Sequence, residues 1–138
     1  MSDYAVKKID EMEAVYLGAF KRARAELGVE SFGLQVIDIP PNFDNYPEHD
    51  HAEDGQEEVF MALRGGGEIE IEGERFPLDA EHMVRVAAGT KRKVWPGDEG
   101  IRSSAAFPAL STRRRRSASS ANPTRCGARP HPRLGWRP

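Results

Sequence analysis

Residues 49–65 read HDHAEDGQEEVFMALRG, and three positions in them carry the chemistry: His49, His51 and Glu58, closed by Gly65. A β-strand sends residues i and i+2 to the same face, so His49 and His51 project together if this stretch is extended. A neighbouring strand that carries a carboxylate can then bring three lone-pair donors to one point. Imidazole with carboxylate suits Zn, Fe, Mn, Ni or Cu, which defines a class of divalent transition metal without selecting one.

The flanking sequence supplies the strands. Glu58, Phe60 and Ala62 share one side of a strand over 57–64, while Val59, Met61 and Leu63 share the other. A strand apolar on both sides must be covered on both, by a second sheet, a helix or a second copy of the chain, so a homodimer is one of the assemblies this strand suggests. Ile69 and Ile71 alternate with glutamates, and Glu72-Gly73 has the composition of a two-residue hairpin turn into 74–78. Gly65-Gly66-Gly67 reads as a turn between strands; no helix follows it, so it is not a phosphate loop. Phe32, Leu34 and Val36 form an earlier strand, and Val84–Val86 and Lys91–Trp95 form later ones. Short strands with close Gly and Pro punctuation predict an all-β antiparallel sandwich or barrel. Upstream, Tyr16, Phe20, Ala23 and Leu27 recur at helical intervals, so a short helix is expected at about 17–27, capped by Gly28.

These residues resemble the cupins, the small double-stranded β-helix or jelly-roll barrels. The first cupin motif runs His-x-His, a spacer, Glu, six residues and Gly; His49, His51, Glu58 and Gly65 match it, with a spacer, AEDGQE, that is longer than usual. The second motif runs Gly, five residues, Pro-x-Gly, two residues and His. Aligned on Gly89, it has Glu81, Ala87 and Arg92 at its other positions, so only the glycine is kept. The resemblance covers about residues 32–102 and implies a barrel with its site inside. It implies His49, His51 and Glu58 as metal ligands. Cupins include dioxygenases, isomerases, decarboxylases, storage proteins and sensing domains, so architecture is implied far better than reaction.

Arg92 falls where the fourth ligand would be. A guanidinium has no lone pair to offer a metal. Two outcomes follow. In one, His49, His51 and Glu58 hold an ion and Arg92 anchors an anionic substrate, with Phe60 as a cavity wall. In the other, Arg92 pairs with Glu58, no metal binds, and the barrel is a metal-free ligand-binding or sensing pocket. Trp95 is a weaker wall because its parity turns it outward. Tyr46 is expected in core packing, with a cavity wall as the alternative, and His82 in solvent.

Charge divides the chain. All 22 acidic residues lie in 1–102 with 12 of the 20 Lys and Arg, a net of −10, whereas 103–138 holds the other eight, all Arg, and no acid. The acidic body argues against nucleic acid at the barrel. Residues 103–138, rich in Arg, Pro, Ser and Ala, lack apolar periodicity and are expected to be disordered. That composition fits a basic arm for phosphates, and it fits a GC-rich reading frame that has shifted. The three segments expected are therefore a helical 1–31, a barrel over 32–102, and the tail. One cysteine, Cys126, excludes an internal disulfide and a thiolate cluster. The charged N-terminus and short apolar runs suggest a cytoplasmic protein that does not insert into membranes.

Overall fold

The computed structural model describes residues 3–108. Seven strands, all paired antiparallel, account for about half of them: β1 (Ala14–Val15), β2 (Phe20–Lys21), β3 (Phe32–Ile39), β4 (Glu58–Ile71), β5 (Glu74–Leu78), β6 (Met83–Val86) and β7 (Arg92–Pro108). Two of these, β4 and β7, are long, and they bend. Their N- and C-terminal halves pair in two separate stretches, Val59–Gly65 with Ile101–Ala106 and Gly67–Ile71 with Arg92–Pro96. On the first stretch β3 and β6 extend the sheet; on the second β5 does. The two stretches form two layers over one core of Ile37, Phe60, Ile69, Leu78, Val94 and Ile101, with further small apolar residues. This is a jelly-roll barrel, as the strand pattern predicts.

Gly65-Gly66-Gly67 is not a turn between strands. The glycine run is the bend inside a continuous β4, marked by register shifts at Ala62/Arg64 and Gly65/Gly67. A side chain at Gly65 would collide with the Gly100 carbonyl, and one at Gly67 with the Trp95 carbonyl. The backbones of β4 and β7 cross too closely there for any residue with a Cβ. Glu72 and Gly73, at φ 50° and 87°, do form the expected tight hairpin.

The helix is shorter than expected. It spans Ala23–Leu27, with Gly28 in the left-handed cap at φ 71°. Tyr16, Leu17 and Gly18 all have positive φ (52°, 57° and 87°), which a right-handed helix cannot contain. They instead turn a small hairpin whose second strand pairs with β3 through Phe20↔Ile37. Edge pairing thus overrides the helical spacing. Ala23 and Leu27, with Ile9 and Met12, cover the outer face of β3 at Val36 and Leu34.

The boundary expected after residue 102 is not a boundary. Ser103–Pro108 continue β7 and pair on both sides, Ser104 with Val36 and Met61, Ala105 with Gln35 and Phe60. This is the closing strand that the composition of SSAAFP does not announce; small residues suit a central strand packed on both faces. The rest of the basic segment, 109–138, lies outside the described residues. Among the described residues, no helix is long and apolar enough to cross a membrane.

Candidate metal and ligand site

The His-x-His segment joins the barrel by a single bridge. His49 and Arg92 exchange two backbone hydrogen bonds, each 3.0 Å, and the His51 N–H donates to the Ala88 carbonyl at 2.7 Å. Glu58 begins β4 and faces inward on the same side as Phe60, as its parity predicts. The result brings His49, His51 and Glu58 together, one ligand atom from each lying within 4.8 Å of the others.

The orientation of the imidazoles is the informative part. His49 Nδ1 stands 3.2 Å from the Pro47 carbonyl, and His51 Nδ1 stands 3.1 Å from Asp54 Oδ2. Both partners are acceptors, so both Nδ1 atoms carry hydrogen and donate. That leaves each Nε2 turned inward, His51 Nε2 at 3.4 Å from Glu58 Oε1 and His49 Nε2 at 3.7 Å from Glu58 Oε2. A neutral imidazole in this tautomer points a lone pair at a carboxylate, which is repulsive unless a proton or a cation lies between them. Ligands bound about 2.0–2.1 Å from a tetrahedral ion stand roughly 3.3 Å apart; the two His–Glu spacings are 3.4 and 3.7 Å, and the whole group lies within 4.8 Å. Second partners that fix the Nδ1 hydrogen are the usual support of a metal-bound histidine. The donor set therefore fits a divalent ion.

Arg92 sits directly behind Glu58. It is completely enclosed, and its Nε and Nη2 donate to the same oxygen, Glu58 Oε2, at 3.0 and 2.7 Å. Its Nη1 donates to the Thr90 carbonyl at 2.8 Å. Both bonds to Glu58 fall on Oε2, so Oε1 remains open toward His51. Burial pulls the Glu58 pKa upward. The His49 imidazole that faces it, then the Arg92 hydrogen bonds and charge, outweigh it and hold the carboxyl below its usual range. His49 is raised above its usual value, first by the Glu58 carboxylate that faces its Nε2, against the opposing effect of burial.

A cavity of about 1260 Å³ opens over this group, with His49, His51 and Glu58 in its lining. Neither Arg92 nor Phe60 lines it. Both were expected against the ligand; both lie beneath the floor. The Arg92 donors are taken up by Glu58 and carbonyls, and Phe60, 2% exposed, packs in the core. Trp95 is turned outward as its parity predicts. Its indole N–H donates to Glu70 Oε2 at 2.9 Å, and the Arg75 and Lys93 cations lie 4.2 and 3.9 Å from its ring.

Three residues gain a place that their sequence context does not fix. Asp54 orients His51, and its only signal is its position three residues on in the polar loop. Tyr46, expected in core packing with a cavity wall as the alternative, does both: it packs against the core and lines the cavity edge-on to His49, with ring centroids 6.1 Å apart. Burial, followed by the nearby Glu58 charge, pushes its phenol up to about 12, so it stays protonated. Phe107, in the segment expected to be disordered, forms a cavity wall; its ring lies over Gly33, where a Cβ would collide with it.

A jelly-roll barrel with imidazoles and a carboxylate gathered at one mouth defines the cupin fold. Comparison with solved structures agrees. A cupin protein from Bacteroides fragilis superposes with a TM-score of 0.60 at 17% identity, over 91% of this chain and 100% of that one. A protein from Photorhabdus luminescens gives 0.61 at 17% identity, over 79% and 89%. The Cupin_2 domain of an XRE family transcriptional regulator from Enterobacter cloacae gives 0.50 at 20% identity, over 57% and 82%. No protein-family model matches the chain, and no curated protein is detectably similar to it. At these identities the likeness establishes the fold: this chain is a small protein with the cupin fold.

Proposed function

We propose that the chain holds one divalent transition-metal ion through His49 Nε2, His51 Nε2 and Glu58 Oε1, and presents it to a small molecule in the cavity above. The observation that carries this reading is the direction of the two imidazoles. Each Nδ1 hydrogen is committed to an acceptor, which leaves two Nε2 lone pairs and a charged carboxylate facing one another. Such an ion would act as a Lewis acid on an oxygen of the bound molecule. The protein's own part is to orient the imidazoles through Pro47 and Asp54, and to keep Glu58 ionised through Arg92. Arg92 is thus a positioning residue for the carboxylate and not a substrate anchor.

The Arg92–Glu58 pair also favours a second reading, a metal-free cavity that binds a ligand for sensing, since the guanidinium already balances the buried charge. Metal analysis of protein purified without chelator separates the two. The first reading expects about one equivalent of ion per chain in the wild type, and almost none in Glu58→Gln or His51→Ala. Near-zero metal in the wild type and the variants alike overturns it in favour of the second.

A further inference from the structure

Two half-buried polar side chains that line the cavity, Tyr46 and Gln35, have no hydrogen-bond partner among the described residues. Their surroundings differ. Tyr46 stands beside His49, at the edge of the His–Glu group. Gln35 faces inward from β3, in register with Ala105 of β7 and through it with Phe60 of β4. It is therefore two strand spacings from the Glu58 wall, about 10 Å between backbones. Phe20, Ile37, Ile101 and Phe107 add apolar side chains to a lining that also holds Asp38, Arg64 and Arg102. An unpartnered phenol beside the His–Glu group and an unpartnered amide two strands away, with aromatic and aliphatic side chains in the same lining, suit a ligand that is polar at both ends and carbon-rich between, since polar groups enclosed with a ligand must be satisfied by it.

We propose that Tyr46 and Gln35 orient the ligand of this cavity, and that the ligand is a ring-sized, carbon-rich carboxylate or carbonyl compound with a second polar group at its far end. The oxygen head lies at the His49–His51–Glu58 group and accepts a hydrogen bond from the Tyr46 hydroxyl. The far group exchanges a hydrogen bond with the Gln35 amide, and the ring rests on Phe107 and Ile37. The location of the head rests on the function proposed above; the roles of Tyr46 and Gln35 do not depend on an ion.

Calorimetric titration of the full chain with benzoate and with 4-hydroxybenzoate tests this, using protein as purified and protein treated with chelator. The wild type is expected to bind both, the hydroxylated compound about three- to tenfold more tightly, the worth of one neutral hydrogen bond. Tyr46→Phe is expected to weaken both by about tenfold or more, because the bond lost is to a charged group. Gln35→Met is expected to leave benzoate unchanged and to erase the advantage of the hydroxyl. A wild type that binds neither compound overturns the proposal, as does a Tyr46→Phe protein that binds benzoate as well as the wild type. Metal-free protein whose benzoate binding still depends on Tyr46 supports this proposal, whereas protein as purified that holds no metal overturns the metal reading alone. Metal-loaded protein whose binding ignores Tyr46 overturns this proposal alone.

Discussion

β7 carries two buried arginines that face opposite sides of the sheet, and each pairs with carboxylates. Arg92 points inward to Glu58, whose side chain is 2% exposed. Arg102 points outward, donating to Asp38 at 2.6 and 2.8 Å and to Asp10 at 2.5 Å, and these carboxylates are 30% and 74% exposed. The chemistry of the two pairs is the same and the consequences differ. If Arg102 is lost, water reaches its partners. If Arg92 is lost, a carboxylate that is 2% exposed is left charged without its cation. The inner pair thus sets the state of a functional group, and the outer pair fastens the N-terminal segment to the barrel.

Removing each arginine measures that difference. Arg92→Leu is expected to cost about 3–5 kcal/mol in chemical denaturation, the usual result of stranding one member of a buried pair. Added Zn is expected to recover part of the loss, because an ion at His49, His51 and Glu58 replaces the missing positive charge. A cost below about 1 kcal/mol, typical of an exposed pair, would show that Glu58 is not held as described. Arg102→Met is expected to cost less, about 1–3 kcal/mol, with no response to Zn. A loss as large as that of Arg92→Leu would erase the contrast.

Acid gives the smallest effect. The Arg102 hydrogen bond and charge hold the Asp10 carboxyl below its usual range. A depressed carboxylate contributes stability that is fully present above the ordinary value near 3.9 and is lost as pH falls through the lower folded value. NMR signals of residues 9–27 should therefore hold their positions at about pH 5 and shift only in stronger acid. Asp10→Asn should show the shifted positions already at neutral pH, lose that dependence on acid, and leave His49, His51 and Glu58 alone. Signals of 9–27 that move already above about pH 5 would place the attachment elsewhere.

The same contrast bears on what the sequence discloses. The inner site is legible because its parts are local. His-x-His needs only strand parity, Glu58 shares a face with Phe60, and Arg92 keeps that inward parity at the other end of the sheet. The partner that Arg92 chooses is not legible. Whether a guanidinium reaches forward to a ligand or back to a carboxylate is decided by side-chain packing, not by spacing. The outer staple is invisible for another reason: Asp10, Asp38 and Arg102 are far apart in the chain, and no periodicity links them. The helix expected at 17–27 failed where Leu17 and Gly18 take left-handed conformations that edge pairing with β3 rewards. The strand Ser103–Pro108 was hidden by its small residues, which are suited to a central position but resemble the basic segment that follows.

X-ray absorption at the metal edge of protein loaded with Zn or Co tests the central claim most directly. Two imidazole nitrogens and one carboxylate oxygen around the ion, at about 2.0–2.2 Å, with that imidazole scattering lost in His51→Ala, are the result expected. A first shell without imidazole scattering, or one unchanged by His51→Ala, would contradict it.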